Sequence, residues 1–186
     1  MPAPDADRES ATPGMPPGTT SETLEANWRR TVDHSTRWPV IAFVSSSVFW
    51  LLIGSVLAII ASLKFNMPDW LVQQGWLTFG RVRPAHLNTM IYGWISMAGV
   101  GVGTWLWARL LKTRLRGRWM MMASIALWNV GMILGTIGIL IGHSRAIEWV
   151  EMPYYAFAFI VPAMLLVVVS FLLTLQQRRV KHLFIS

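Results

Sequence analysis

The chain has 186 residues, of which 54% are hydrophobic and 13% charged, and its formal net charge is +7. Soluble domains carry about 25% charged residues, so this composition, with a mean hydropathy of +0.46, excludes an ordinary soluble domain and favours a membrane protein. The sequence has no cysteine. This excludes disulfides, iron–sulfur clusters and thiolate zinc sites, and leaves histidine, carboxylate or methionine as metal ligands.

The first 37 residues are predicted to form an N-terminal tail. Residues 1–20 are rich in proline, threonine and acids and have almost no large apolar side chain, which is typical of disorder. For residues 21–34 the sequence favours either a short surface helix, with Ser21 as its N-cap, or a flexible lead-in. No signal peptide is expected, because the first apolar run begins near residue 38 and is long enough to stay in the membrane.

Four apolar runs follow, over about residues 38–63, 85–111, 119–142 and 153–175. Each is long enough to cross a hydrocarbon core of ~30 Å as a helix with a rise of ~1.5 Å per residue. Since backbone groups in lipid must satisfy their own hydrogen bonds, the runs are predicted to be helices. The predicted fold is all-α, an integral membrane bundle of four transmembrane helices over residues 38–186.

The basic residues are distributed unevenly about these runs. Twelve of the sixteen fall on one side of the predicted bundle: Arg8, Arg29, Arg30, Arg37, Arg109, Lys112, Arg114, Arg116, Arg118, Arg178, Arg179 and Lys181. The positive-inside rule therefore predicts that both termini are cytoplasmic. Nucleic acid is not an expected partner, because the cations flank apolar spans and no soluble basic domain accompanies them.

Small residues recur at helical spacing in two of the runs. In the third run they form a glycine stripe: Gly131, Gly135, Gly138 and Gly142. In the second run the seam consists of Gly93, Ser96, Gly99 and Gly103. Such seams let helix backbones approach closely, and the alternative use of a missing side chain is to make room for a flat cofactor.

The second run opens with an ionisable ring, in the stretch RVRPAHLNTMIYGW. His86 is either an interfacial histidine or an axial haem ligand, since neutral imidazole commonly binds haem iron. Pro84 is predicted to start the helix, which puts His86 in its first turn. Gly93 lies two turns further along the same face and would leave a slot for a porphyrin edge. Arg81 and Arg83 lie just outside, where haem propionates would need cationic partners.

This stretch resembles the second-helix signature of the haem-copper oxidase subunit I superfamily. It is most similar to the C-type (cbb-type) cytochrome c oxidases and their nitric-oxide-reductase relatives, in which the histidine is an axial ligand of the low-spin haem b. The pattern, G-R-[LIV]-R-P-x-H-x-N-x-x-[IL]-[FY]-G-[FW], is matched by Gly80, Arg81, Val82, Arg83, Pro84, His86, Asn88, Ile91, Tyr92, Gly93 and Trp94.

Later segments resemble the family in the same order, so that the resemblance covers about residues 38–186. The Trp128–Asn129 pair is similar to a W-N pair in the family's third helix. The loop from Arg145 to Pro153 is similar to the family's basic–acidic–proline loop. Residues 181–186 resemble the link into its fifth helix. In relatives the third loop has acids near a calcium ion. Here Ala146 and Trp149 replace expected acids while Glu148 and Glu151 remain nearby, so calcium is only weakly indicated.

The resemblance implies that the chain is the N-terminal part of a twelve-helix subunit I of a respiratory terminal oxidase in the bacterial inner membrane. His86 would bind the low-spin haem b, which passes electrons from cytochrome c-type donors to a haem–copper centre. Arg81 and Arg83 would hold the propionates and Gly93 would provide clearance. Asn88 and Tyr92 would supply hydrogen bonds around the ligand.

The remaining cofactor ligands of the family come from later helices. These are the second axial ligand of the low-spin haem, the ligand of the high-spin haem and three copper-binding histidines. Copper and the high-spin haem are therefore not expected in this chain, which would be either an incomplete N-terminal portion or a split subunit. Its expected partners are the other oxidase helices or subunits and the lipid bilayer. Neither dioxygen nor nitric oxide is singled out as the terminal substrate.

Two other functions are compatible with the residues. One is a self-contained four-helix b-type cytochrome with His86 and His143 as its two axial ligands. The other is a non-enzymatic assembly or scaffold protein whose glycine seams dock partner helices. His34 and His182 lie in charged, polar surroundings and are interpreted as solvated, and the methionines at 120–122 as lipid-facing side chains, because a consecutive run cannot share one helix face.

Overall fold

The computed structural model describes residues 21–179, and within that range every regular element is helical. The elements in chain order are α1 (Ser21–Asn66), a 3₁₀ turn (Gly75–Leu77), α2 (Phe79–Asn88), a π-helical segment (Thr89–Ile95), α3 (Ser96–Leu110), α4 (Arg118–Ile141) and α5 (Tyr154–Gln176). The predictions for residues 1–20, His182 and residues 181–186 fall outside the described residues. The predicted all-α membrane architecture is confirmed.

Helices α1, α4 and α5 are each long and apolar enough to cross a membrane, by length and composition. With 46 residues, α1 is roughly 69 Å long at ~1.5 Å per residue, about twice the ~30 Å hydrocarbon core. The surface helix predicted over 21–34 is its N-terminal part and continues into the first apolar run. Pro39 lies inside this helix without ending it.

The second predicted span is helical from Phe79 to Leu110 but is not one α-helix. It consists of α2, the π segment and α3 in direct succession, and that it crosses the membrane as a unit remains a prediction. It begins six residues earlier than predicted, because Thr78 adopts an extended conformation and its carbonyl accepts the N–H groups of Arg81 and Val82, both at 3.0 Å.

The expectation that Pro84 opens the second helix is therefore wrong. Pro84 is the sixth residue of α2, and His86 lies in the second turn rather than the first. The missing N–H of an interior proline removes one i→i−4 hydrogen bond. That bond would have ended on the Gly80 carbonyl, whereas the carbonyl of Pro84 itself accepts Asn88 Nδ2 at 2.9 Å.

Three glycines of the predicted stripe, Gly131, Gly135 and Gly138, pack against α5 and the residues just before it, whereas Gly142 follows α4 and lies against Arg81. A Cβ added at Gly131 would lie 2.6 Å from Ile160 Cγ1 and 2.9 Å from the Ala156 carbonyl oxygen. At Gly135 it would lie 2.5 Å from Met152 Sδ. This seam serves close helix contact, one of the two uses predicted for it.

The seam predicted in the second run behaves differently along its length. Gly93 is buried, whereas a Cβ added at Gly99 or Gly103 would meet no atom within 4 Å. Only the N-terminal end of this seam is therefore a packing contact within the described part of the chain.

Candidate functional site

The His86 ring is oriented by a backbone carbonyl of α1. Its Nδ1 lies 2.8 Å from the Gly54 carbonyl oxygen. A carbonyl can only accept, so Nδ1 carries a proton, and in the neutral ring Nε2 keeps the lone pair. The ring is half-buried, and it makes no other hydrogen bond to a described residue. A neutral imidazole held through Nδ1–H, with Nε2 available, is the usual arrangement of a metal-ligating histidine.

The absence of a side chain at Gly54 brings its carbonyl close enough to reach the ring. A Cβ there would lie 2.7 Å from Met90 Sδ and 3.2 Å from Thr89 Oγ1, so α1 could not approach the π segment as closely. Sequence reasoning missed this residue. Its only signal is a lone glycine among large apolar residues in LLIGSVL.

The π segment immediately follows the histidine-bearing helix. The Ser96 N–H pairs with the Ile91 carbonyl, five residues back, and Ser96 Oγ donates to the same oxygen at 2.8 Å. The Tyr92 carbonyl, which regular α-helical pairing would give to Ser96, accepts Trp128 Nε1 at 3.1 Å. The indole of α4 thus satisfies a backbone group left available by the wider turn.

Trp128 and Asn129, singled out as a pair in the sequence, both connect α4 to neighbouring elements. Asn129 Oδ1 accepts Trp50 Nε1 at 2.9 Å, and its Nδ2 donates to Ser46 Oγ at 3.0 Å. The pair therefore anchors α4 to α1 as well as to the π segment, and Trp50 is held in a fixed position beside them.

Gly93 faces Trp50 rather than an open slot. A Cβ added at Gly93 would lie 2.6 Å from Trp50 Cβ and 3.1 Å from Met132 Cε. Gly93 and His86 both face α1, and the space left by the missing side chain is occupied by Trp50. The expectation of a porphyrin slot directly beside Gly93 therefore needs correction, because the space there is used for helix packing.

The two predicted propionate-binding arginines differ in their surroundings. Arg81 Nη1 donates to the Leu140 carbonyl at 3.2 Å, where a cation favourably neutralises the C-terminal end of α4. Arg83 is exposed and makes no ion pair or hydrogen bond with a described residue. Arg83 is thus free to bind an anion, while Arg81 already has one backbone partner.

Asn88 and Tyr92, predicted to lie around the ligand, both bind the loop between α4 and α5. Asn88 Nδ2 donates to Glu151 Oε2 at 2.6 Å, and Tyr92 Oη donates to the Trp149 carbonyl at 3.0 Å. Asn88 Oδ1 is buried and has no hydrogen-bond partner among residues 21–179. The structure thus brings these two side chains together with loop residues, whereas the His86 ring contacts α1.

His143 lies outside this arrangement. It follows Gly142, whose φ of 97° ends α4, and it is exposed with Nδ1 3.4 Å from Tyr155 Oη. His34 is exposed on α1. Among residues 21–179, no group of three histidine or acidic side chains is placed to hold a metal ion.

The fold and this site define a class: a helical membrane protein with a partly buried histidine on a helix that lies against its first span. The family model "Cytochrome C and Quinol oxidase polypeptide I" matches residues 38–186. The chain therefore belongs to the haem-copper oxidase subunit I family.

Individual relatives agree with this assignment. The chain is 23% identical over 148 residues to a "Cytochrome c oxidase subunit 1 homolog" of Azorhizobium caulinodans. The aligned region covers 80% of this chain and 27% of that protein. The chain is 24% identical over 144 residues to the "Cbb3-type cytochrome c oxidase subunit CcoN1" of Stutzerimonas stutzeri, covering 77% and 30%. The chain thus spans less than a third of the length of these relatives.

Proposed function

We propose that this chain contributes an axial ligand of the low-spin haem b to a cbb-type respiratory terminal oxidase, with His86 as the ligand. The observation that carries the proposal is the hydrogen bond from His86 Nδ1–H to the Gly54 carbonyl at 2.8 Å. It fixes the tautomer in which Nε2 is the basic nitrogen, and a hydrogen-bonded Nδ1–H makes that nitrogen a stronger donor to iron.

The residues around His86 fit a haem in different ways. Arg83, exposed and without a partner among the described residues, would pair with a propionate. Arg81 would do so while keeping its bond to α4. Gly93 and Gly54 act through packing, because both allow α1 to lie close to the helix that carries the histidine. Asn88 and Tyr92 hold the neighbouring loop against that helix.

When bound, the haem supplies a one-electron carrier whose potential depends on its axial ligands and surroundings. We infer that electrons come from cytochrome c-type donors and pass to a haem–copper centre contributed by other helices or a partner chain. The same proposal includes location in the bacterial inner membrane with both termini cytoplasmic, as the distribution of basic residues predicts. Calcium has no part in the proposal.

The visible spectrum of the purified chain tests the ligand, both alone and co-expressed with the other subunits of an oxidase. We expect His86→Ala to abolish the low-spin haem b signal, because no other described side chain offers an equivalent imidazole beside α1. The matched control is His143→Ala, which removes an exposed histidine and should leave the signal intact.

Two results would contradict the proposal in different ways. An unchanged haem content in the His86→Ala protein, in every preparation, would exclude this residue as the ligand. Loss of haem from the isolated chain in both variants would instead favour a self-contained cytochrome with His86 and His143 as its ligands.

A further inference from the structure

The loop between α3 and α4 presents its basic side chains on one surface. Within residues 111–116 buried and exposed positions alternate, and the exposed ones are Lys112, Arg114 and Arg116. The alternation of apolar or small residues with basic ones makes the loop amphipathic even though it is not a strand. Its cations are therefore accessible to solvent.

Three hydrogen bonds to two helices, α1 and α5, fix this loop. The Leu115 N–H donates to Ser35 Oγ of α1 at 3.1 Å, and the Arg116 N–H to Thr174 Oγ1 of α5 at 3.0 Å. The Arg116 carbonyl accepts Ser170 Oγ at 2.5 Å. Because the main chain makes these bonds, the arginine side chains are not needed to hold the loop in place.

The loop, the N-terminal part of α1 and the end of α5 enclose a depression of about 420 Å³, which we term the basic depression. Its lining includes Trp28, Lys112, Arg114, Arg116, Gln177 and Arg179. Lys112 Nζ lies 5.5 Å from the centroid of the Trp28 ring, so an aromatic side chain and a cation meet at its edge.

The four cations of the basic depression are not neutralised by the described part of the chain. The two described acids on the adjoining segment of α1 are already engaged, Glu25 with Arg29 and Asp33 with Arg109. Four positive charges converging on one depression repel one another, and an anion placed among them would relieve that repulsion.

We propose that the basic depression binds the phosphate of an anionic phospholipid headgroup. Guanidinium groups match phosphate oxygens in geometry as well as charge, and basic pockets between transmembrane helices are typical sites for anionic headgroups. The loop lies directly between the ends of two apolar helices, next to Trp119, which is 69% exposed. This location corresponds to the depth of the lipid headgroups, where tryptophan is enriched, and favours a lipid over a soluble anion.

The proposal is tested by native mass spectrometry of the full chain in detergent, with phosphatidylglycerol or phosphatidylcholine added after delipidation. We expect phosphatidylglycerol to bind at least tenfold more tightly, and the double variant R114Q/R116Q to weaken its binding by about 30-fold at low salt, since each basic residue near an anionic lipid contributes about fivefold. The matched control R37Q/R145Q removes the same net charge outside the basic depression and should change binding less than about twofold.

Several outcomes would overturn the proposal. An equal loss of binding in the control variant would mean that net charge alone determines affinity. Equal binding of the zwitterionic phosphatidylcholine would show that the site does not select anionic lipid. Displacement of the lipid by millimolar inorganic phosphate would indicate a site for a soluble anion. Thermal unfolding of each variant checks its folding. If R114Q/R116Q does not fold, the single variant K112Q should still weaken phosphatidylglycerol binding by about fivefold, and an unchanged affinity would refute the site.

Discussion

Two interfaces of this molecule are built on different physical principles. At the interface between α4 and α5, glycines let the second helix approach, with Gly131 and Gly135 in direct contact with its backbone or side chains. The contact of α1 with the helices that follow it is rich in specific hydrogen bonds, among them His86–Gly54 and Trp50–Asn129.

The difference shows how a helix pair in an apolar medium can be fixed. Where no hydrophobic effect distinguishes a partner helix from lipid, close van der Waals packing and buried polar bonds supply the specificity. A contact between a glycine and the backbone of a neighbouring helix is disrupted by almost any larger side chain. A polar contact is disrupted when its hydrogen-bond donor or acceptor is removed. The candidate site lies on the polar interface, where a side chain can be oriented precisely.

The largest expected effect is at the α4–α5 interface. We predict that Gly131→Ala lowers the free energy of unfolding by about 3 kcal/mol, the upper end of the usual cost of overpacking. The reason is that the new methyl would lie 2.9 Å from the Ala156 carbonyl oxygen, and a backbone atom cannot move without displacing α5. Reversible unfolding in mixed detergent micelles measures this loss.

Gly99→Ala is the matched control for that substitution. A Cβ at Gly99 meets no atom within 4 Å, so the change should be neutral or slightly stabilising. An equal loss of stability in both variants would contradict the packing explanation, because alanine has the higher helix propensity and a Cβ at Gly99 has no close neighbour.

A somewhat smaller effect is expected where α1 contacts the π segment. We predict that Gly93→Ala costs about 2 kcal/mol, because the added methyl would lie 2.6 Å from Trp50 Cβ, although the wide π turn can relax part of the overlap. The same unfolding measurement applies, together with the haem content of the co-expressed complex.

The companion variant Trp50→Ala sharpens this prediction. It leaves the Trp50 Cβ in place, so it should not rescue Gly93→Ala. A double variant as stable as Trp50→Ala alone would show that the indole, and not the closeness of the two helices, limits the space at Gly93.

The smallest expected effect concerns the ion pair at the far end of α1. Arg109 donates to both carboxylate oxygens of Asp33, at 2.8 and 2.6 Å, and this hydrogen bonding lowers the pKa of Asp33 below its ordinary value of 3.8. Since the Asp33 side chain is 43% exposed, we predict that Asp33→Asn costs less than about 1 kcal/mol.

The pH dependence of this contribution has a definite sign. Because the pKa is lowered in the folded state, the ion pair stabilises the protein fully above pH 3.8 and its contribution is lost as the pH falls through the lower, folded-state pKa. Below that range Asp33→Asn and the parent chain should have equal stability. A difference that persists there would assign the effect to something other than the charge of Asp33.

Much of the fold could be predicted from the sequence. The apolar runs gave helices in the right order, and the glycine stripe of α4 gave a close helix contact. The histidine at position 86 was a candidate functional residue because ionisable side chains are uncommon at the start of a long apolar run. The start of the second helix could not be predicted, because Thr78, not Pro84, turns the chain into it.

The surroundings of the site were harder to predict. The partner of His86 is a backbone carbonyl 32 residues away, and the π turn that follows depends on Trp128 in another helix. Asn88 and Tyr92 were assigned to the ligand's surroundings by their position in the motif, but they bind the loop after α4.

The sequence by itself determined that this chain is a membrane protein and that its apolar runs are helices, and it singled out His86 as the candidate iron ligand. These properties depend on hydropathy, on the need of backbone N–H and C=O groups for hydrogen bonds, and on local side-chain chemistry, all of which act over a few residues. Only the tertiary structure decided which nitrogen of His86 is free, what fills the space beside Gly93 and where the unpaired cations converge. Those outcomes depend on which backbone atoms of distant segments come within about 3 Å, and hydrogen bonds require that proximity.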